Sequence, residues 1–230
     1  MKTIGLIGGM SWASSLEYYR ILNEMVKERL GGLHSAKCVL VSVDFAEIEP
    51  LQHQERWTEQ AQMMVAAAQN VERAGADFVL LCTNTMHKLA EDIQAAIHIP
   101  FLHIADATAR KIKGMGIRKV GLLGTRFTME QDFYRLRLEE KHHLSVLIPG
   151  EQQREVVHRI IYQELCMGVI KEESRLQYAW VIQELVHSGA QGIILGCTEI
   201  ELLVKPEDSP VPIFPTTRIH AEAAVDYALG

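Results

Sequence analysis

Two stretches of this chain, about 115 residues apart, repeat one layout, and that duplication limits the possible fold more than any other feature. Ile4-Gly5-Leu6-Ile7-Gly8 is echoed by Val120-Gly121-Leu122-Leu123-Gly124. Leu80-Leu81-Cys82-Thr83 is echoed by Leu195-Gly196-Cys197-Thr198. Each cysteine closes a short apolar run that begins after Gly-Ala, so it falls where a buried strand stops and a helix should begin. The 230 residues, 48% of them hydrophobic, suffice for one large core or two of about 100 residues each, and the repeat favours two.

Apolar runs of four to six residues alternate with longer amphipathic stretches. Strands are expected at Thr3–Gly8, Cys38–Ser42, Phe78–Leu81, Pro100–His103, Lys119–Leu123, Ser145–Ile148, Gly192–Leu195 and Val211–Phe214. Helices are expected at Ser14–Arg29, Trp57–Ala74, Met86–Ala96, Ala105–Gly114, Met129–Glu140, Arg154–Met167, Lys171–Ser188 and Thr217–Leu229. Strand-helix alternation of this kind predicts α/β architecture: two pseudo-symmetric, doubly wound parallel-sheet domains. The expected partition is 1–98 with 215–230 as the first domain and 99–214 as the second. In open α/β sheets ligands lie beyond the carboxyl ends of the strands, and both repeated cysteines belong to that edge. The active site is therefore expected in the cleft between the two domains.

Charge and cysteine usage narrow the function. A net charge of −6 and a pI near 5.9, with no basic stripe, give nucleic acid no electrostatic footing. No stretch approaches a membrane span and the amino terminus reads too short for a signal peptide, so a cytoplasmic location is expected, with no membrane partner. Cys38, Cys82, Cys166 and Cys197 form no C-x-x-C pair, which argues against a disulfide framework and against a bound metal. Cys38 and Cys166 fit core filling, the common fate of a free cysteine. A cysteine followed by threonine at equivalent positions of a repeat fits catalysis better.

Two facing thiols suit the removal of a proton from one face of a stereocentre and its return on the other. Thr83, Asn84 and Thr85 can cap a helix and, with its first N–H groups, hold a carboxylate; Thr198 and Glu199 can do the same, or receive an ammonium, in the other half. A helix N-terminus would lower a thiol pKa and supply thiolate at neutral pH. Nothing in the chain reads as a pyridoxal site, so no cofactor is expected. A non-catalytic amino-acid-binding module, or a two-cysteine decarboxylase or cis-trans isomerase, are the alternatives.

These residues carry a family resemblance. Gly8-Gly9-Met10-Ser11-Trp12, Leu81-Cys82-Thr83-Asn84-Thr85-Met86-His87, Pro100-Phe101-Leu102-His103-Ile104-Ala105-Asp106-Ala107-Thr108, Leu123-Gly124-Thr125 and Gly196-Cys197-Thr198-Glu199 resemble the aspartate/glutamate racemase family across nearly the whole chain. The pattern is most similar to its enterobacterial branch of broad-specificity amino-acid racemases. The resemblance implies a two-domain α/β fold, no cofactor, Cys82 and Cys197 as an acid-base pair, and a homodimer. It also implies substrate contacts from Met10, Gln52, Thr83, Asn84, Thr85, Thr125, Thr198 and Glu199. Departures bear on specificity: the cations that clamp a second carboxylate in some aspartate racemases are replaced here, Cys166 standing in the place of a lysine. Arg56 and Arg126 are the candidates to compensate. The expected substrates are therefore acidic amino acids or a broader set that includes homoserine-like side chains. Gly8-Gly9 reads as a tight turn beside the substrate, and His87, His103 and His220 read as structural, with His87 placed to tune the Cys82 thiol.

Overall fold

The computed structural model describes every residue from Met1 to Gly230. Eight strands form two parallel four-stranded sheets. The first contains β1 (Ile4–Gly8), β2 (Cys38–Ser42), β3 (Phe78–Leu81) and β4 (Phe101–Leu102) in the order β2-β1-β3-β4. The second contains β5 (Lys119–Gly124), β6 (Ser145–Leu147), β7 (Ile193–Gly196) and β8 (Ile213–Pro215) in the order β6-β5-β7-β8. Strand for strand, the second sheet repeats the first. All pairings are parallel. Their near-continuous apolar sequences, buried at every position of β1, β3 and β7, are those of strands covered on both faces.

The chain divides into two compact units, Met1–Ile104 with His220–Gly230, and Ala105–Ile219. The boundary falls after Ile104, beyond the expected position at residue 98. The reason is β4, whose Phe101 and Leu102 pair with Val79 and Leu80 of β3 and so belong to the first sheet. On the return, β8 and the residues up to Ile219 stay with the second unit, because Ile213, Phe214 and Pro215 pair with β7.

In the first unit, side chains alternate across the sheet with period two. Ile4, Leu6, Leu80 and Cys82 face α1 (Trp12–Leu30) and the end of the last helix, through Tyr18, Leu22, Val26, Ala221, Ala224 and Val225. Ile7, Val79 and Leu81 face the other way, toward Ile48, Met64, Ala68, Val71 and Ile93. These come from α2 (Phe45–His53), α3 (Trp57–Arg73) and α4 (Ala90–Ala96). After α5 (Ile104–Gly114), the second unit packs α6 (Arg126–Glu130), α7 (Asp132–Leu136), α8 (Glu151–Gln163), α9 (Glu172–His187) and α10 (Ile200–Leu203) about its sheet. Its main core holds Leu123, Val157, Ile160, Tyr178, Ile182, Ile193 and Leu195. The chain ends in α11 (Thr216–Leu229). No helix is long and apolar enough to cross a membrane.

Two expected helices are broken. The stretch Met129–Glu140 is α6, α7 and a π turn over Arg137–Lys141, and Met86–Ala96 begins as a 3-10 helix over Thr85–Leu89 before α4. The helix expected to run to Met167 ends at Gln163 and is followed by a 3-10 turn, Leu165–Met167, closed by Gly168 in the left-handed conformation.

Candidate active site

Strand order locates the chemistry. In each sheet the strand order switches between the first and third strands, β1/β3 and β5/β7, where successive parallel strands are added on opposite sides, and such a switch point opens a crevice at the carboxyl edge. At the first switch point Ile7 is in register with Leu81, so the chain leaves β1 through Gly8, Gly9 and Met10 beside the segment Cys82–Thr85 leaving β3. At the second, Gly124 is in register with Gly196, so Thr125 and Cys197 leave the sheet side by side. The turn after β1 has no room for a side chain: Gly9 has φ +97°, and a Cβ there would lie 2.0 Å from the Val43 carbonyl oxygen.

Cys82 is fully buried. Its amide donates to the Ile7 carbonyl at 2.9 Å, and its own carbonyl accepts from the Ser14 hydroxyl at 2.9 Å, which ties the cysteine to β1 and to α1. Ser15 supplies the matching contact on the glycine turn, accepting from the Gly9 amide at 2.7 Å. Thr83 is half-buried, while Asn84, Thr85 and Met10 are buried at the same edge. Gln52, from α2, is buried as well and donates to the Met86 sulfur at 3.0 Å. The sequence thus brings Met10, Gln52 and Cys82–Thr85 to one edge of one sheet.

At the other edge Cys197 is buried, with its thiol donating to Glu199 Oε2 at 3.0 Å. Thr198 and Glu199 are buried beside it, and Thr125 caps α6, accepting from the Thr128 amide at 3.3 Å. Cys166 also belongs to this neighbourhood. It packs against the core that contains Cys197, and burial, followed by the Glu199 charge, pushes its thiol up to about 12. Spacing could not reveal this, because Cys166 arrives from the turn after α8.

The electrostatics overturn one expectation. Where a lowered thiol was expected, burial drives Cys82 well above the ordinary thiol value. Cys197 is raised first by burial and then by the Glu199 and Cys166 charges. The element following Cys82 is a 3-10 helix that runs on into α4, and that following Cys197 is the four-residue α10. Both cysteines therefore rest as thiols at neutral pH. Only Cys197 has a carboxylate to receive its proton.

The two cations considered for a second carboxylate differ in their commitments. Arg56 donates to Glu59 at 2.6 Å through Nε, an ion pair within the first turn of α3. Arg126 lines an open basin of about 620 Å³ at the start of α6 and α8, together with Glu130, Glu151, Gln152, Arg154 and Glu155. Carboxylates outnumber guanidiniums there, and Arg154 is bound to Glu130 at 2.7 Å.

Known proteins place this arrangement in context. The family model described as Asp/Glu/Hydantoin racemase matches residues 7–224. Over the full length of both chains, the structure is similar to a crystal structure from Yersinia pestis provisionally described as an Asp/Glu racemase, at 59% identity and a TM-score of 0.94. It is also similar to an aspartate racemase homologue from Pyrococcus horikoshii OT3, at 35% identity and a TM-score of 0.85 over all of both chains. A broad-specificity amino-acid racemase of Bacillus subtilis (strain 168) is 27% identical over 188 residues, 79% of this chain and 76% of that protein.

Proposed function

The chain belongs to the Asp/Glu/hydantoin racemase family, and from that membership we propose that it interconverts L- and D-amino acids without a cofactor, by two-base catalysis with Cys82 and Cys197 on opposite faces of the α-carbon. The observation that carries the proposal is the placement of one buried cysteine, followed by threonine, at the switch point of each sheet. A binding module has no use for a thiol at both positions.

The proton inventory closes. From the resting state, the Cys197 proton passes to Glu199 along the 3.0 Å hydrogen bond, leaving a thiolate. That sulfur takes the α-proton, and the Cys82 thiol gives its own proton to the other face. The enzyme then holds a Cys82 thiolate, a Cys197 thiol and a protonated Glu199, with its proton count unchanged, and the opposite enantiomer runs the sequence backwards. The α-proton is far less acidic than a thiol, so the carbanion needs donors on its carboxylate; Thr83, Asn84 and Thr85 are the proposed source, in surroundings poor in water. Met10, Gln52, Thr125 and Thr198 complete the proposed contacts. Because Arg56 is engaged by Glu59 and Glu199 brings negative charge beside Cys197, the proposed substrates extend beyond aspartate and glutamate to uncharged side chains such as homoserine.

Chiral chromatography over an amino-acid panel tests the activity. Solvent deuterium uptake at the α-position tests the mechanism: Cys82→Ser and Cys197→Ser each abolish racemisation, and each retains exchange with one enantiomer only, the opposite one in the two variants. Racemisation surviving either substitution would eliminate the two-thiol scheme.

A further inference from the structure

We propose that His87 is a positioning residue for the loop that carries Cys82: as the neutral Nδ1–H tautomer it ties the Thr83 carbonyl to the Ile104 amide, and thereby aims the Thr83–Asn84 peptide at the substrate carboxylate. The proposal rests on the racemase reading above.

Both ring nitrogens of His87 bond to backbone, and the chemistry of those partners fixes the proton. Nδ1 lies 2.7 Å from the Thr83 carbonyl oxygen, which can only accept, so Nδ1 carries the hydrogen. Nε2 lies 3.2 Å from the Ile104 amide, which can only donate, so Nε2 carries none. A protonated ring would set two N–H groups against each other. The ring is 2% exposed and packs at a tilt against His103 and edge-on against Phe101, 4.6 Å and 5.5 Å away centroid to centroid. It therefore cannot exchange its partners for water without opening the first unit.

The consequence for catalysis follows from the planarity of the peptide bond. The Thr83 carbonyl and the Asn84 N–H belong to one trans unit and point in opposite directions. Holding the carbonyl toward His87 turns the Asn84 N–H away from it, toward the side of the loop on which the substrate carboxylate is proposed to bind. A preorganised donor of this kind loses its value if the peptide is free to rotate. His87 is thereby assigned to orienting a donor, in place of the direct tuning of the Cys82 thiol that its position one turn on suggests. The second partner matters too. Ile104 is the last residue before the chain passes into the second unit and the first of α5, so the bond also satisfies an amide at a helix start. His220, at the return crossing, uses its nitrogens the other way round: Nε2 donates to the Leu102 carbonyl, and Nδ1 pairs with the Tyr18 hydroxyl, both at 2.8 Å.

Two amide variants separate the two bonds. In His87→Asn the side-chain nitrogen sits about where Nδ1 was, so the Thr83 bond survives; in His87→Gln the terminal oxygen reaches about as far as Nε2, so only the Ile104 bond survives. With an amino acid that the wild type racemises, H87Q is expected to lose about tenfold or more in kcat/KM while H87N stays within about threefold, the two having similar Tm. Equal losses in both variants would reduce His87 to packing, and no loss in H87Q would remove the role outright. In the wild type, long-range 1H–15N spectra of the histidine rings should show one Nδ1–H neutral ring assignable to His87 through its absence in H87N. An Nε2–H or doubly protonated ring at neutral pH overturns the proposal. A wild type that inverts no amino acid fails the racemase reading instead, a result distinct from an active wild type indifferent to H87Q.

Discussion

Glu199 is what distinguishes the two thiols. Cys82 is raised by burial and has no carboxylate to take its proton, whereas Cys197 is raised by burial and by the very carboxylate that accepts its hydrogen bond. Replacing Glu199 by Gln therefore acts in two opposite senses. The negative charge that holds the thiol up is gone, so the Cys197 pKa falls and its alkylation by a small methanethiosulfonate, followed against pH, shifts to lower pH. The proton acceptor is gone as well, so kcat/KM falls by about a hundredfold or more despite the more acidic thiol. A variant with faster alkylation and undiminished turnover would remove Glu199 from the proton path. The sequence displayed Cys-Thr-Glu but could not say whether Glu199 faces the sulfur; its expected alternatives, capping or an ammonium contact, describe the same side chain from a different direction.

Among the elements, α5 shows how a polar cluster can hold packing that apolar periodicity does not announce. Asp106, in its first turn, receives both Nε and Nη2 of Arg137 at 2.8 Å, and Lys141 and His142 at the same distance. Burial alone would raise this carboxyl, but the bonds from Arg137, His142 and Lys141 prevail and hold it far below the ordinary carboxylate range. Because the folded-state pKa is depressed, the stabilisation is complete above pH of about 4 and drains away as the pH falls from there toward the folded value. Asp106→Asn is expected to cost about 2–4 kcal/mol at pH 7, and the Tm gap to wild type should close in acid. A gap independent of pH would mean that the cluster contributes shape and no charge. The same cluster explains the broken helix before β6: the π turn over Arg137–Lys141 carries two of the three partners of Asp106. No local pattern encodes that, since the partners lie 31 to 36 residues away. The unexpected α2 is similar. Pro50 within a nine-residue helix argues against it locally, yet Asp44 caps its start and Ile48 and Gln52 are buried on its inner face.

On the scale of the molecule, the first unit is assembled from both ends of the chain. Its core needs Ala221, Ala224 and Val225 from α11, and His220 bonds to Tyr18 and Leu102. Truncation after Ile219 should consequently expose Met1–Ile104 to limited proteolysis well before 105–219, visible as early cleavage within the first hundred residues. Simultaneous digestion of both segments would show that the units do not melt separately. The sequence by itself determined the two-sheet architecture, all eight strands and the position of each Cys-Thr at a strand end. Hydrophobic runs and their repetition are local properties, legible wherever a strand is covered on both faces. Tertiary structure alone decided that β4 stays with the first sheet, that Cys166 comes to Cys197, that both thiols are buried and protonated, and that His87 spends both nitrogens on backbone. Each of those depends on which distant groups enclose a side chain, and a desolvation cost or a hydrogen-bond partner contributed from elsewhere in the chain leaves no periodicity to read.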